Sequence, residues 1–209
     1  MANLLFILFN IFTNLFCFLP ALNGYHTKSY SESIIWVCSG SFSFIYHLYD
    51  TKLVNYYHIQ IYNSIYHLDL LYGDLSVCAI LSLLLFPNRL FRCYLYLFLV
   101  AQQSFFILLQ IDFIKRWICI FIILITIKRF STNLQCHDGF IISWFLGGIL
   151  CNLFGFVMFH LLPKYFASYY NLFHGFHHLF AYGSIYCYIN SIQFTKRKQS
   201  EIQTILVQT

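Results

Sequence analysis

The sequence predicts an all-α membrane protein: a bundle of seven transmembrane helices with its N-terminus outside and its C-terminus in the cytoplasm. Three observations carry that reading. Only 9% of the 209 residues are charged, against about 25% in an ordinary soluble domain. Hydrophobic residues make up 60% of the chain and gather into runs near the roughly 20 residues that cross a hydrocarbon core. The basic residues fall mostly between those runs, more on one side than on the other.

The charge count also excludes functions. A water-soluble globule needs a polar skin, which 12 basic and 7 acidic residues cannot supply. A soluble enzyme, a disordered segment and a nucleic-acid module are ruled out. The net charge of +5 is small and sits at loops rather than on a patch.

The first run, 2–22, has no basic residue ahead of it and no clear small-x-small cleavage site. It therefore reads as a retained span rather than a cleaved signal peptide. The second, 33–49, carries Ser43 and His47 four residues apart, on one helical face. The third, 65–86, holds Asp69 and Asp74, which point about 140° apart at 100° per residue and cannot serve one site. The fourth, 90–110, is defined by hydropathy. The fifth, 113–127, is the shortest, and Lys115 and Arg116 near its start must snorkel. In the sixth, 140–162, Gly147, Gly148 and Gly155 allow close helix packing. The seventh, 169–190, contains His174, His177 and His178. Seven spans use about two-thirds of the chain, leaving short connectors and a short basic cytoplasmic tail, 191–209. A four-span reading would strand several apolar runs in water.

With connectors numbered alternately from the N-terminal side, one side holds Lys52, Lys115, Arg116 and Lys164. The other holds Lys28, Arg89, Arg92, Lys128, Arg129, Lys196, Arg197 and Lys198, which places it in the cytoplasm. All cysteines except Cys136 fall within runs and none forms a C-x-x-C pair, so they read as small packed apolar groups rather than a disulfide framework. No N-x-S/T acceptor and no internal repeat occurs.

A titratable side chain inside lipid is costly and marks function by default. His174 and His178, one helical turn apart, can reach one metal as the helical H-x-x-x-H pair of zinc proteases does. Even-numbered spans end, and odd-numbered spans begin, on the same side of the membrane. His47, Asp69, His174 and His178 thus fall in one layer, within roughly 15 Å of one interface. Three histidines plus a water is a catalytic zinc arrangement, in which the metal lowers the pKa of the water towards about 7. Asp69 would act as general base or orient that water, and Ser43 would hydrogen-bond it or a substrate carbonyl. Such a site suits hydrolysis of an amide or ester within a lipid lying between the helices. Taken singly, His58, His67, His137 and His160 read as interhelical hydrogen-bonding groups, and Asp74 as a polar interhelical contact. His177 competes with His178, because His174 and His177 also share a face.

The set Ser43-x-x-x-His47, Asp69 and His174-x-x-x-His178 resembles the CREST superfamily, which includes alkaline ceramidases, the progestin and adipoQ receptors and the transmembrane protein 8 family. The nearest likeness is to the short, ectodomain-free branch represented by myomaker. It rests on Phe18-Leu19-Pro20, His47-Leu48-Tyr49-Asp50, Tyr72-Gly73-Asp74-Leu75-Ser76 and the stretch from Phe173 to Ser184. The resemblance implies a seven-helix bundle with a three-histidine Zn2+ site on His47, His174 and His178, and Ser43 and Asp69 as the accompanying polar pair. Family activities divide between lipid hydrolysis, as in the ceramidases and a GPI-anchor phospholipase, and the cell–cell membrane fusion promoted by myomaker. One departure is plain: the tail from Lys196 has no cysteine, where myomaker-type tails are often cysteine-rich.

Two readings follow. The first is a zinc-dependent lipid amide or ester hydrolase. The alternative is a non-catalytic membrane-remodelling protein that promotes cell–cell fusion and keeps zinc for structure. A receptor or transporter is weaker: the seventh run has no lysine, the only prolines are Pro20, Pro87 and Pro163, and no pair of broken helices occurs. The implied partner is a membrane lipid, as substrate or ligand, in the plasma membrane or an endomembrane. No nucleic acid is expected, and a homo-oligomer is compatible with the composition.

Overall fold

The computed structural model describes residues 2–50, 59–86, 88–111 and 142–208. These are almost wholly helical, and no strand occurs among them. The first apolar run forms α1 (Ala2–Thr13), a 3-10 turn (Asn14–Cys17) and α2 (Phe18–His26). Pro20 lies in the first turn of α2, where its missing N–H is tolerated, and the tighter turn before it accommodates the ring. The helix therefore continues through Pro20 and past the expected boundary at residue 22 to His26. A reversal follows, with Lys28 in the left-handed region at φ 61° and the Ser29 N–H donating to the Gly24 carbonyl at 2.8 Å.

Next come α3 (Tyr30–Asp50), α4 (Ile59–Leu85) and α5 (Arg89–Leu108). Asn88 caps α5, its side chain accepting the Phe91 N–H at 3.1 Å. The next described residues begin with α6 (Ile142–Phe156), which opens into a π turn (Val157–Leu161), then α7 (Leu162–Tyr165), a 3-10 turn (Ala167–Tyr169) and α8 (Tyr170–Gln208). At 1.5 Å per residue, α8 is about 58 Å long, and the basic stretch expected as a separate tail continues the same helix.

Small residues set the approach of the helices. A Cβ on Gly40 of α3 would collide with the Cys17 side chain, so α3 lies close against the turn joining α1 and α2. A Cβ on Gly148 of α6 would meet the Tyr188 ring of α8 at 2.6 Å, and one on Gly175 of α8 would meet the Phe9 ring of α1 at 2.6 Å. The apolar core, built around Trp36, Leu75, Phe86, Leu99 and Ile189, lies toward the N-terminal end of α3. His47, in the last turn of α3, lies at the other end.

Among the described residues, four helical segments are long and apolar enough to cross a membrane: Leu4–His26, Tyr62–Leu85, Arg89–Leu108 and Ser143–Tyr165. They correspond to the first, third, fourth and sixth expected spans. α3 and α8, expected as the second and seventh, do not reach that apolarity, because they carry Ser39, Ser43 and His47, and His178, Ser184 and Ser191, all buried inside the bundle. The fifth expected span, with Lys115 and Arg116, lies outside the described residues, as do Cys136, His58 and His137. The bundle buries polar side chains such as Asn10, Glu32, Asp74 and Gln103, yet leaves Leu97 and Leu108 largely exposed. That inversion of the soluble pattern suits a lipid surround.

Candidate metal centre

The layer shared by the runs places His47 beside the H-x-x-x-H pair as an expectation, and the structure brings the three together. α3 delivers His47 from its last turn, and α8 delivers His174 and His178 from its second and third turns. Gly175 lets α1 pack closely on α8, and Gly40 lets the turn that follows α1 pack closely on α3. One ligand atom from each of His47, His174 and His178 lies within 4.8 Å of the others. His47 stands edge-on to His174, with ring centroids 4.6 Å apart and planes at 87°, and at 70° to His178. His174 and His178 stack at 4.7 Å.

The geometry fits an ion. Metal–nitrogen bonds of about 2.0–2.1 Å in a tetrahedral site put two ligating nitrogens about 3.3–3.4 Å apart, and Nε2 of His47 lies 3.2 Å from Nε2 of His178. His47 and His178 are buried, and a shared cation would use the lone pairs of both imidazoles. Three imidazoles suit several first-row metals, so the cluster is metal-competent without selecting one.

Polar neighbours extend the site. Ser43, buried one turn before His47, lies within hydrogen-bonding reach of the Asp69 carboxyl group. Asp69 is half-buried on α4. Tyr182 stacks with His178 at 6.4 Å, one turn further along α8, and its hydroxyl is within reach of Ser39. A polar seam of Ser39, Ser43, Asp69 and Tyr182 thus runs from the histidines into the bundle. Asp74 is buried five residues beyond Asp69, near Cys78, on a different face of α4.

The choice between His177 and His178 is resolved by direction. His177 donates Nδ1–H to the Gly155 carbonyl at 3.1 Å, next to the π turn of α6, and ties α8 to α6. His67 is exposed on α4. His160 lies in the π turn, packed between Phe156 and Phe159. The cysteines Cys17, Cys38, Cys78, Cys93, Cys151 and Cys187 are free thiols.

Three features were not anticipated from the sequence. The Tyr170 hydroxyl lies 2.8 Å from Nδ1 of His174; its place four residues before His174 was the available signal. Asn10 of α1 donates to Asn171 of α8 at 3.4 Å. Arg92, counted as a loop cation in the orientation argument, is instead buried and paired: Nε donates to Glu32 at 2.5 Å and Nη1 to the Phe86 carbonyl at 2.8 Å. Tyr96 also donates to Glu32, at 2.8 Å. Without Arg92 the basic count stands at seven against four, with the same sign.

Comparison of the chain with models of known families, with curated proteins and with solved structures returns no match.

Proposed function

We propose that this protein is a multi-pass membrane enzyme of the CREST type, close to the transmembrane protein 8 and myomaker branch, that binds zinc at His47, His174 and His178 and hydrolyses an amide or ester bond of a membrane lipid. The observation that supports it is the convergence of three imidazoles from two helices, beside a serine–aspartate pair in the same layer. Zinc held by His47, His174 and His178 would lower the pKa of a bound water towards about 7 and so supply a hydroxide nucleophile.

The chain's own residues would do the rest. Asp69 takes the proton from the attacking water as that oxygen bonds to the substrate carbonyl carbon. It returns the proton to the leaving nitrogen or oxygen as the C–N or C–O bond breaks, giving a fatty acid and an amine or alcohol. Ser43 donates its single hydroxyl proton to the Asp69 carboxylate and so orients it. The apolar sides of α1, α3 and α8 receive the acyl chain and exclude bulk water, which strengthens each of these polar contacts.

The test uses full-length protein purified in lipid nanodiscs, with ceramide and phosphatidylcholine as amide and ester probes. We expect about one zinc per chain by metal mass spectrometry and release of fatty acid from one probe. Both should be lost in the His174→Ala/His178→Ala double variant. Full zinc retention by that variant would overturn the metal assignment. Zinc without turnover of either probe, together with fusion of non-fusing cells expressing the chain, would move the assignment to the membrane-fusion reading.

A further inference from the structure

The face of α8 that carries the two site histidines continues for a turn in each direction, as Tyr170, His174, His178 and Tyr182 at four-residue spacing. The rings form a ladder. Tyr170 meets His174 at 5.2 Å and 82°, His174 stacks on His178, and His178 on Tyr182. The first rung differs from the others in its polar contact, because the Tyr170 hydroxyl reaches Nδ1 of His174 at 2.8 Å.

A neutral imidazole carries one proton, and which nitrogen holds it is set by the partner of the other. A phenolic oxygen can accept as well as donate. With the Tyr170 oxygen accepting from Nδ1–H, the lone pair of His174 is at Nε2, free for a cation shared with His47 and His178. With the opposite tautomer, Nε2 carries a proton and cannot ligate. Metal-binding histidines almost always donate their second ring N–H to an oxygen in this way.

A second contact fixes the same ring. Phe159, on the π turn of α6, stands edge-on to His174 at 5.0 Å and 79°. π turns inside helices recur at functional sites. Here the turn brings an aromatic edge to the imidazole whose tautomer Tyr170 would control. His174 is thus gripped by a hydroxyl from its own helix and a ring from a neighbouring one.

We propose that Tyr170 is a positioning residue of the metal centre: its hydroxyl accepts Nδ1–H of His174 and presents Nε2 to the ion. This inference rests on the metal-site reading above and adds a role for a residue outside the ligand set.

The experiment compares full-length wild type, Tyr170→Phe and Tyr169→Phe in nanodiscs, using cobalt(II) as the metal and histidine-15N NMR of the metal-free protein. Tyr169 is a control, since its ring packs on Phe6 and Phe173. Tyr170→Phe should weaken cobalt binding about 10- to 100-fold, shift the cobalt d–d absorption and abolish the Nδ1–H tautomer signal of His174. Its metal-free melting temperature should match wild type, and Tyr169→Phe should change none of these. Wild-type cobalt affinity and spectrum in Tyr170→Phe would overturn the positioning role and leave the metal site standing. A lowered metal-free melting temperature with an unchanged spectrum would also overturn it, making Tyr170 a packing residue. Failure of wild type to take up cobalt would overturn the metal reading and this inference together.

Discussion

His47 of α3 and His178 of α8 face each other through their Nε2 atoms, 3.2 Å apart. They are 131 residues apart in the chain, so the contact is made only when the bundle closes. Without an ion, two neutral imidazoles at this distance share one hydrogen bond. With an ion, both lone pairs and that of His174 are used, and α3 is fastened to α8.

Metal removal should therefore loosen the fold at this end. A ligand that binds only the folded chain stabilises it by about 4 kcal/mol at a thousandfold excess over its Kd. Adding zinc to chelator-treated protein should raise the melting temperature in wild type and in His177→Ala, whose side chain is turned to Gly155. It should do nothing in His47→Ala. An equal zinc response in His47→Ala would refute the three-histidine assignment.

The serine–aspartate pair separates chemistry from architecture. Asp69→Asn and Ser43→Ala leave all three imidazoles in place, so zinc content should hold. For a general base, turnover should fall about 10²- to 10⁴-fold in Asp69→Asn. A fusion protein with structural zinc would instead keep its fusion activity in both variants, scored as multinucleated cells.

The parts of this site that were legible in the sequence are those fixed by local geometry. Four-residue spacing put His174 and His178 on one face, and the alternation of spans expected from the sequence pointed to His47, which the structure brings to them. Spacing could not separate His177 from His178, because three- and four-residue steps share a face; the carbonyl of Gly155, from another helix, made that choice. Glu32 and Arg92 stood at the starts of two different runs, 60 residues apart, and no local spacing links such a pair. The continuation of α8 past residue 190 was hidden for a different reason. A hydropathy run ends where apolarity ends, whereas a helix ends only where its backbone bonds are broken.

The Glu32–Arg92 pair gives a prediction about stability alone. Both side chains are almost wholly buried, and removing one partner of a buried pair costs about 3–5 kcal/mol by leaving the other uncompensated. Glu32→Gln should lower the melting temperature strongly, with cobalt or zinc binding by the folded fraction unchanged. The double variant Glu32→Leu/Arg92→Met should recover most of the loss. A double variant as unstable as the single would show that the pair's hydrogen bonds to Phe86 and Tyr96, rather than its charges, carry the stability.

Glycine substitutions test whether helix approach sets the site. A Cβ at Gly175 would meet the Phe9 ring at 2.6 Å and the Asn10 Cα at 3.1 Å. The ring can turn, but the α1 backbone cannot move without shifting its packing on α3. Gly175→Ala should therefore push the first turns of α8 away from α1 and carry His174 with them, weakening zinc binding as well as lowering the melting temperature. Gly73 is the control, because a Cβ there meets nothing within 4 Å. Gly73→Ala should gain about 0.5–1 kcal/mol from helix propensity and bind zinc as wild type does. Chelator competition and thermal unfolding on both variants check the pair. Wild-type zinc affinity in Gly175→Ala would show that His174 is placed by α8 alone rather than by the α1 contact.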